Sequence, residues 1–295
     1  MNLLTPTDWK DYELIDTGDG EKLERFGSYI LRRPEPQAVW ERSLPEKEWE
    51  KQANATFKRE KNQQKDSERG EWALKPGMPG QWFVGYDSEG LRLKMRLGLT
   101  AFKHVGLFPE QAENWNYIYQ TIKTTNVATP RVLNLFAYTG GASLAAKAAG
   151  ADVLHVDSVK QVINWSAENQ QASKLDGIRW VVEDALKYVR REIKRGKTYH
   201  GIILDPPAYG RGPEGEKWVL EENINELIKI CSQLLEKKDA FFVLNLYSMG
   251  FSALITENLI KAHFPMGKSY EMGELYLPDQ SGKRLPLGVF LRFRI

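Results

Sequence analysis

The residues in this chain whose type and spacing could do chemistry are one pair of adjacent glycines and three aspartates, each placed just after a short apolar run. The first run leads into Asn134-Leu135-Phe136-Ala137-Tyr138-Thr139-Gly140-Gly141. Adjacent glycines let the backbone approach a ligand and accept unusual dihedrals. The helix that follows would offer free N–H groups and a positive dipole end to an anionic group. The same run also reads as a tight strand-to-helix turn with no ligand. Asp157 closes the second run, where a carboxylate can accept hydrogen bonds from two ribose hydroxyls or cap the next helix. Asp184 follows the third, placed to bond an adenine amino group or to cap Ala185-Leu186-Lys187.

Asp205-Pro206-Pro207-Ala208-Tyr209 closes the fourth run. Two prolines stiffen the loop and withhold two backbone donors. The carboxylate and nearby carbonyls then form a fixed array of acceptors, and Tyr209 offers a face on which a flat base can stack. A rigid turn is the plain alternative. The next segment, Gly210 to Lys217, reads as a flexible charged loop, either a lid or clamp or ordinary surface. Asn245-Leu246-Tyr247-Ser248-Met249-Gly250 follows a fifth apolar run, with Ser248 read as the cap of the next helix.

These positions need elements to hold them. From residue 130 onward, strands are expected at 131–136, 152–156, 178–182, 199–204 and 240–246, alternating with helices at 141–149, 159–174, 185–194, 218–237 and 252–263. Strands alternating with helices imply a parallel sheet with right-handed crossovers. Its ligands sit beyond the carboxyl ends of the strands, which is where the glycines and the aspartates fall. Two final strands, near 269–275 and 288–293, are expected as a hairpin. The first hundred residues mix Trp, Pro, Gly and charge. Short strands are expected at 28–31 and 38–40, a helix over 45–60, a mobile loop over 61–69, and a hairpin of 81–86 with 91–97 around Asp87-Ser88-Glu89-Gly90. A helix over 108–124 would lead into the second part. The expected division is a small α+β domain, residues 1–100, and an α/β domain, residues 101–295.

The single cysteine, Cys231, leaves no intramolecular disulfide and no cysteine-rich metal cluster, and no metal is expected. The opening MNLLTPTDWKDYE lacks a basic start followed by a long apolar run, and no apolar stretch approaches the ~18 residues of a membrane span. A soluble, cytoplasmic protein with no membrane partner is therefore expected. A net charge of +2 permits nucleic acid without demanding it. The oligomeric state is not set by the sequence, which admits a dimer.

Together, VLNLFAYTGGASLAAKAAGA, VDSV, ED and ILDPPAYGRG, in that order, resemble the S-adenosylmethionine-dependent methyltransferases related to the bacterial enzymes that act on 23S ribosomal RNA. The likeness runs over roughly residues 80–295 and includes the upstream KHVGLFPEQ at residues 103–111. It implies a Rossmann-like sheet of the class I methyltransferases, mostly parallel with a C-terminal antiparallel hairpin, beside a small N-terminal α+β domain. The cofactor it implies is S-adenosyl-L-methionine, its carboxylate at the helix after Gly141. The contacts it implies are Phe136, Ala137, Tyr138, Gly140, Asp157, Asp184, Asp205 and Gln111, and the flanking Asn134, Thr139, Gly141, Ser158 and Ala185 complete the candidate set. The implied partner is ribosomal RNA.

The chain departs from relatives in two ways. Cytosine-C5 methylation needs a cysteine nucleophile, yet the loops after the fourth and fifth strands read DPPAY and NLYSMG, and Cys231 lies inside an expected helix. An RNA-binding PUA domain, common at the N-terminus of relatives, is not evident. The DPPAY loop instead resembles the Asp/Asn-Pro-Pro-aromatic loop of amino methyltransferases, which implies a nitrogen target with Asp205 and the Pro206 carbonyl as acceptors and Tyr209 stacking. A nicotinamide-dependent oxidoreductase would expect Gly-x-Gly-x-x-Gly after the first strand, which Tyr138–Ser143 does not supply. Two other readings stay open. One is a protein or small-molecule substrate for the same enzyme. The other is a non-catalytic RNA-binding relic of the fold, using basic segments such as Phe57-Lys58-Arg59, Arg211, and the alternating Arg92, Lys94 and Arg96, which share one strand face.

Overall fold

The computed structural model describes residues 1–7, 9–59, 69–247, 250–264 and 269–295. Most of the expected loop at 61–69, and Ser248, lie outside the described residues. The chain forms two units. One comprises residues 1–4, 111–275 and 288–295, the other residues 5–110 and 276–287.

After β1 (Asn2–Leu4), which belongs to the first unit, the chain enters the second. There β2 (Tyr12–Gly18), β3 (Glu21–Phe26), β4 (Tyr29–Pro34), β5 (Ala55–Arg59) and β6 (Gly70–Leu74) make a five-stranded sheet in chain order, with α1 (Glu46–Gln52) between β4 and β5. The strands β7 (Gln81–Ser88) and β8 (Leu91–Gly98) pair as the expected antiparallel hairpin. Its two turn residues, Glu89 and Gly90, both have positive φ, the conformation that matches strand twist in a two-residue turn.

Two local expectations fail here. Residues 38–40 are not a strand. Their carbonyls close the β2–β3 turn instead, Ala38 accepting from Gly20 N (2.8 Å) and Trp40 from Asp19 N (2.7 Å). The helix expected over 45–60 stops at Gln52. Beyond it Asn54 exchanges hydrogen bonds with Ile30 on β4, and Ala55 and Phe57 alternate inward as a strand. Period-2 burial outweighs the helix propensity of the Glu- and Lys-rich run.

Asp16 ties this unit together. It is buried, and its carboxylate accepts from Ser43 N, Leu44 N (2.8 Å), Trp49 Nε1 (2.9 Å) and Lys283 Nζ (3.0 Å). Burial opposes its ionisation, but hydrogen bonds from Leu44, Trp49, Lys283 and Ser43 more than offset that, holding the carboxyl below the usual range.

In the first unit a short 3-10 turn (Pro109–Gln111), begun in the second unit, leads into α2 (Ala112–Lys123). Then β9 (Arg131–Leu135), α3 (Gly141–Ala148), β10 (Asp152–Asp157), α4 (Lys160–Ala172), β11 (Arg179–Val182), α5 (Ala185–Lys194) and β12 (Gly201–Leu204) follow. Next come β13 (Tyr209–Arg211), β14 (Lys217–Val219), α6 (Leu220–Leu234), β15 (Phe241–Leu246), α7 (Ala253–Lys261), β16 (Tyr270–Pro278) and β17 (Arg284–Arg294). The eight-stranded sheet has the order β1-β16-β17-β15-β12-β9-β10-β11. Its centre, β15 to β11, is parallel, and β17 runs antiparallel to β15. This is the expected Rossmann-like sheet with antiparallel C-terminal strands. The tip joining β16 and β17, residues 276–287, belongs to the second unit.

The central strands are apolar because both of their faces are covered: GIIL of β12 and FFVLNL of β15 are buried at every residue. The main core joins Leu133, Ile202, Phe242 and Leu244 to Val189 of α5, Ile224 and Ile228 of α6 and Ile260 of α7. Strand order reverses between β9 and β12, because β9 is followed outward by β10 and β11 while β12 leads to β15 on the other side. In sheets of this kind ligands bind at such a reversal, here beyond the carboxyl ends of β9 and β12. The segment expected as a free loop at 210–217 is instead the β13–β14 hairpin, and the helix expected from Trp218 begins at Leu220. The cap of α7 is Ser252, which accepts from Ile255 N. No helix among the described residues is long and apolar enough to cross a membrane.

Asp16→Asn is expected to destabilise the second unit by about 2–3 kcal/mol at pH 7, the scale of lost hydrogen bonds to a charged acceptor. Because the folded value is depressed, this stabilisation is present above 3.8 and lost as pH falls below it. Urea melts of wild type and variant should therefore differ more at pH 7 than at pH 3.

Candidate active site

The turn after β9 enters the left-handed region repeatedly: Phe136 (φ 54°), Tyr138 (φ 48°) and Gly140 (φ 94°). Non-glycine residues seldom accept this without compensation, and a buried polar chain beneath the turn supplies it. Asn134 Nδ2 donates to Ser143 Oγ (2.9 Å), which meets His155 Nδ1 (3.0 Å). On the far side of that ring, Ser166 Oγ lies 3.5 Å from Nε2 and donates to the Tyr138 carbonyl (2.6 Å). Asn169 Nδ2 donates to the Thr139 carbonyl (2.9 Å). Burial holds His155 neutral, lowering it to about 3.

The two glycines answer different demands. Gly140 supplies the positive φ. Gly141, at the start of α3, has no room for a side chain, since a Cβ would lie 2.4 Å from Cζ2 of Trp115. Its smallness therefore serves helix packing, a contact that the sequence pattern does not reveal. Gln111 lies one turn before Trp115 and accepts from Asn114 Nδ2 (2.9 Å).

Asp157, at the end of β10, is half-buried and receives Tyr138 N and Val159 N, each at 3.0 Å. It is thereby hydrogen-bonded to the glycine-bearing turn. Burial raises its pKa, opposed by those backbone donors. Ser158 sits beside it, partly exposed. Asp184 caps α5, accepting from Lys187 N (2.8 Å), and Ala185 is buried in the core.

Asp205 closes β12. Asn245, at the facing position on β15 and 2% exposed, donates from Nδ2 to Asp205 Oδ1 (2.8 Å). Desolvation dominates at Asp205, raising its pKa to about 6 against the lowering effect of that bond. The Asn245 side-chain oxygen is buried without a partner among the described residues. In the sequence Asn245 reads only as part of the loop after the fifth apolar run. The usable signal was a polar residue ending an otherwise apolar strand beside the one that ends in Asp205.

Past Asp205, the Pro207 carbonyl accepts from Trp218 Nε1 (2.7 Å) and the Ala208 carbonyl from Leu220 N (3.0 Å). Pro206 is buried, and no donor among the described residues reaches its carbonyl. Tyr209, 53% exposed, opens the β13–β14 hairpin. Lys187 bonds both Glu214 (2.5 Å) and Glu216 (3.4 Å) of that hairpin. Phe136 turns its ring onto Trp218, centroids 4.7 Å apart. A cavity of about 140 Å³ lined by Thr121, Pro130, His200 and Phe241 lies at the amino-terminal edge of the strands, the wrong edge for a ligand of this fold.

Residues 61–262 match the family model described as S-adenosylmethionine-dependent methyltransferase. The crystal structure of an S-adenosylmethionine-dependent methyltransferase from Agrobacterium tumefaciens superposes with a TM-score of 0.90 at 36% identity, covering 100% of this chain and 93% of that one. A ribosomal RNA large subunit methyltransferase K/L from Shewanella frigidimarina is 31% identical over 47% of this chain and 20% of its own length. Its counterpart from Pseudoalteromonas atlantica is 32% identical over 39% of this chain and 16% of its own length. The chain thus spans a fifth or less of these two relatives. It belongs to the S-adenosylmethionine-dependent methyltransferases.

The residues present fit that cofactor. The first turn of α3 begins with backbone N–H groups that a helix leaves without internal acceptors, the turn above it is polar and preorganised, and three strand ends carry Asp157, Asp184 and Asp205 around the switch point.

Asn245→Ala should push the Asp205 carboxyl above its value of about 6, since it removes the one donor favouring the ionised form. Carbon-13 NMR titration of labelled aspartate carboxyls reads this directly. Gly141→Ala should cost about 1–3 kcal/mol through overpacking against Trp115, visible as a lower Tm.

Proposed function

We propose that this chain methylates a nitrogen of an RNA base, with ribosomal RNA as the substrate class. The observation that carries the reading is the hydrogen bond from buried Asn245 to the part-buried Asp205 at the end of β12, followed by the Pro206 carbonyl and the exposed Tyr209 ring. The names of the curated relatives support the RNA part. A cytoplasmic site of action follows from that substrate.

When bound, S-adenosylmethionine supplies an activated methyl group on a sulfonium. The chain has to hold it, align the nucleophile and manage one proton. In this reading the N–H groups at the start of α3 hold the carboxylate of the methionine portion, Asp157 the ribose hydroxyls and Asp184 the adenine. In the same reading Gln111, Phe136, Ala137 and Ser158 contact the cofactor as well. Asp205 Oδ1 is engaged by Asn245, which leaves Oδ2 to accept one hydrogen of the target amine while the Pro206 carbonyl accepts another. That geometry would turn the nitrogen lone pair out of the base plane and toward the donor. As the N–C bond formed and the donor's methyl–sulfur bond broke, the nitrogen's proton would pass to Asp205, which is ionised at neutral pH with a value of about 6. Tyr209 would stack on the base, which in folded RNA must first leave its helix.

A thiolate mechanism has no support here. Cys231 is fully buried in the core of α6, and burial pushes its thiol far up, away from the reactive form.

Asp205→Ala and Asp205→Asn are expected to lower kcat by about 100-fold or more, and wild-type activity should fall on the acid side with a midpoint near 6. Labelled S-adenosylmethionine incubated with unmodified ribosomal RNA, then nucleoside mass spectrometry, checks the product. An N-methylated base is expected. Labelled 5-methylcytidine, or full turnover by Asp205→Ala, would overturn the mechanism.

A further inference from the structure

The alternating cations of β8, Arg92, Lys94 and Arg96, play no part in the site described above. Cross-strand register places Phe83 opposite Arg96, Gly85 opposite Lys94 and Asp87 opposite Arg92. These residues share one face, since directly paired residues point the same way. The other face is the hairpin's core side, where Trp82, Val84, Tyr86, Leu91, Leu93, Met95 and Leu97 are all buried. Burial therefore does not explain Phe83, which stands 47% exposed on the outer face with Lys94 Nζ 5.2 Å from its ring centroid.

Lysines and arginines on an exposed hairpin can serve simply to keep its edges from pairing with other chains. A bare phenyl ring set among them does the opposite, because it presents apolar surface to water. Aromatic rings interleaved with cations are instead what a single-stranded nucleic acid needs: a flat face for a base and charge for its backbone. Residues two apart on a strand are separated by about 6.8 Å, close to the spacing of successive phosphates in an extended strand. Arg92 pairs with Asp87 (3.0 Å), but both side chains are largely exposed. Such a surface pair is weak and can be exchanged for a phosphate.

We infer that the outer face of the β7–β8 hairpin is a single-stranded RNA-binding surface, with a base stacked on Phe83 and the backbone held by the exposed Arg92 and Lys94. This places an RNA contact on the second unit. It does not depend on which atom of the RNA is methylated.

The test is fluorescence anisotropy with a labelled single-stranded RNA of about twelve nucleotides and the full chain, without cofactor. Phe83→Leu keeps the apolar bulk but removes the π face, and should weaken binding at least about five-fold. Phe83→Trp should retain or tighten it. Arg92→Glu and Lys94→Glu should each weaken binding and lower the salt slope by about 0.7 per lost phosphate contact. Val39→Ala, at an exposed apolar residue (83%) of the same unit, is the control and should change nothing. Binding by Phe83→Leu equal to wild type would overturn the inference. So would cation-dependent binding of heparin and RNA alike with no effect of the ring, since that describes a general polyanion surface. Duplex RNA bound as tightly as the single strand would also count against it. If the hairpin variants lose binding while no N-methylated base is ever found, the surface stands and the reading of the reaction falls.

Discussion

The backbone at Phe136–Gly140 must bend through the left-handed region while sitting on a buried floor, and the rest of the site depends on how that floor is satisfied. Water cannot reach the groups beneath the turn, so protein must pair them. Asn134, Ser143, His155 and Ser166 do so as one chain of contacts running from β9 through α3 and β10 to α4, and ending on the carbonyl of Tyr138. A charged imidazole would be costly there, and burial keeps His155 neutral. A neutral ring offers one donor and one acceptor, which is what two flanking serine hydroxyls can use. The network sets the turn, the turn positions the first N–H groups of α3, and Asp157 then receives the Tyr138 N–H.

On the other side of the switch point the constraint is electrostatic. Asp205 is shielded from water enough to raise its pKa, and a single amide donor from Asn245 pulls in the opposite direction. The balance leaves an acceptor close to the range in which a weak base is useful. Around it the loop is stiff for several independent reasons. Two prolines restrict it, Trp218 and Leu220 occupy the Pro207 and Ala208 carbonyls, and the β13–β14 hairpin is tied by Lys187 to α5. A segment whose composition reads as mobile is thus a two-stranded ribbon, because its glycines and charges serve a turn and local pairing.

The second unit shows the same contrast between pattern and packing. The hairpin at 81–98 was legible because its alternation is strict and its turn carries Glu89-Gly90. The end of α1 was not, because Glu, Lys and Ala favour a helix through residue 60. What stops it is the partner strand β4, which takes up Asn54 and Ala55. Asp16 was equally silent. Nothing local marks it as a hub, since its partners Ser43, Leu44, Trp49 and Lys283 lie far along the chain.

The sequence by itself determined the alternation of strands and helices, the parallel sheet that this implies, and the strand ends where Asp157, Asp184 and Asp205 stand. These are readable because burial on both faces of a strand and the capping of a helix leave local signatures. The order of strands, the pairing of Asn245 with Asp205, the Trp115 contact that demands Gly141, the buried environment of His155 and the division of the chain into discontinuous units were decided only in the tertiary structure. Each of these depends on residues brought together from distant parts of the chain, and their energies come from desolvation and close contact, quantities that no local pattern of residues carries.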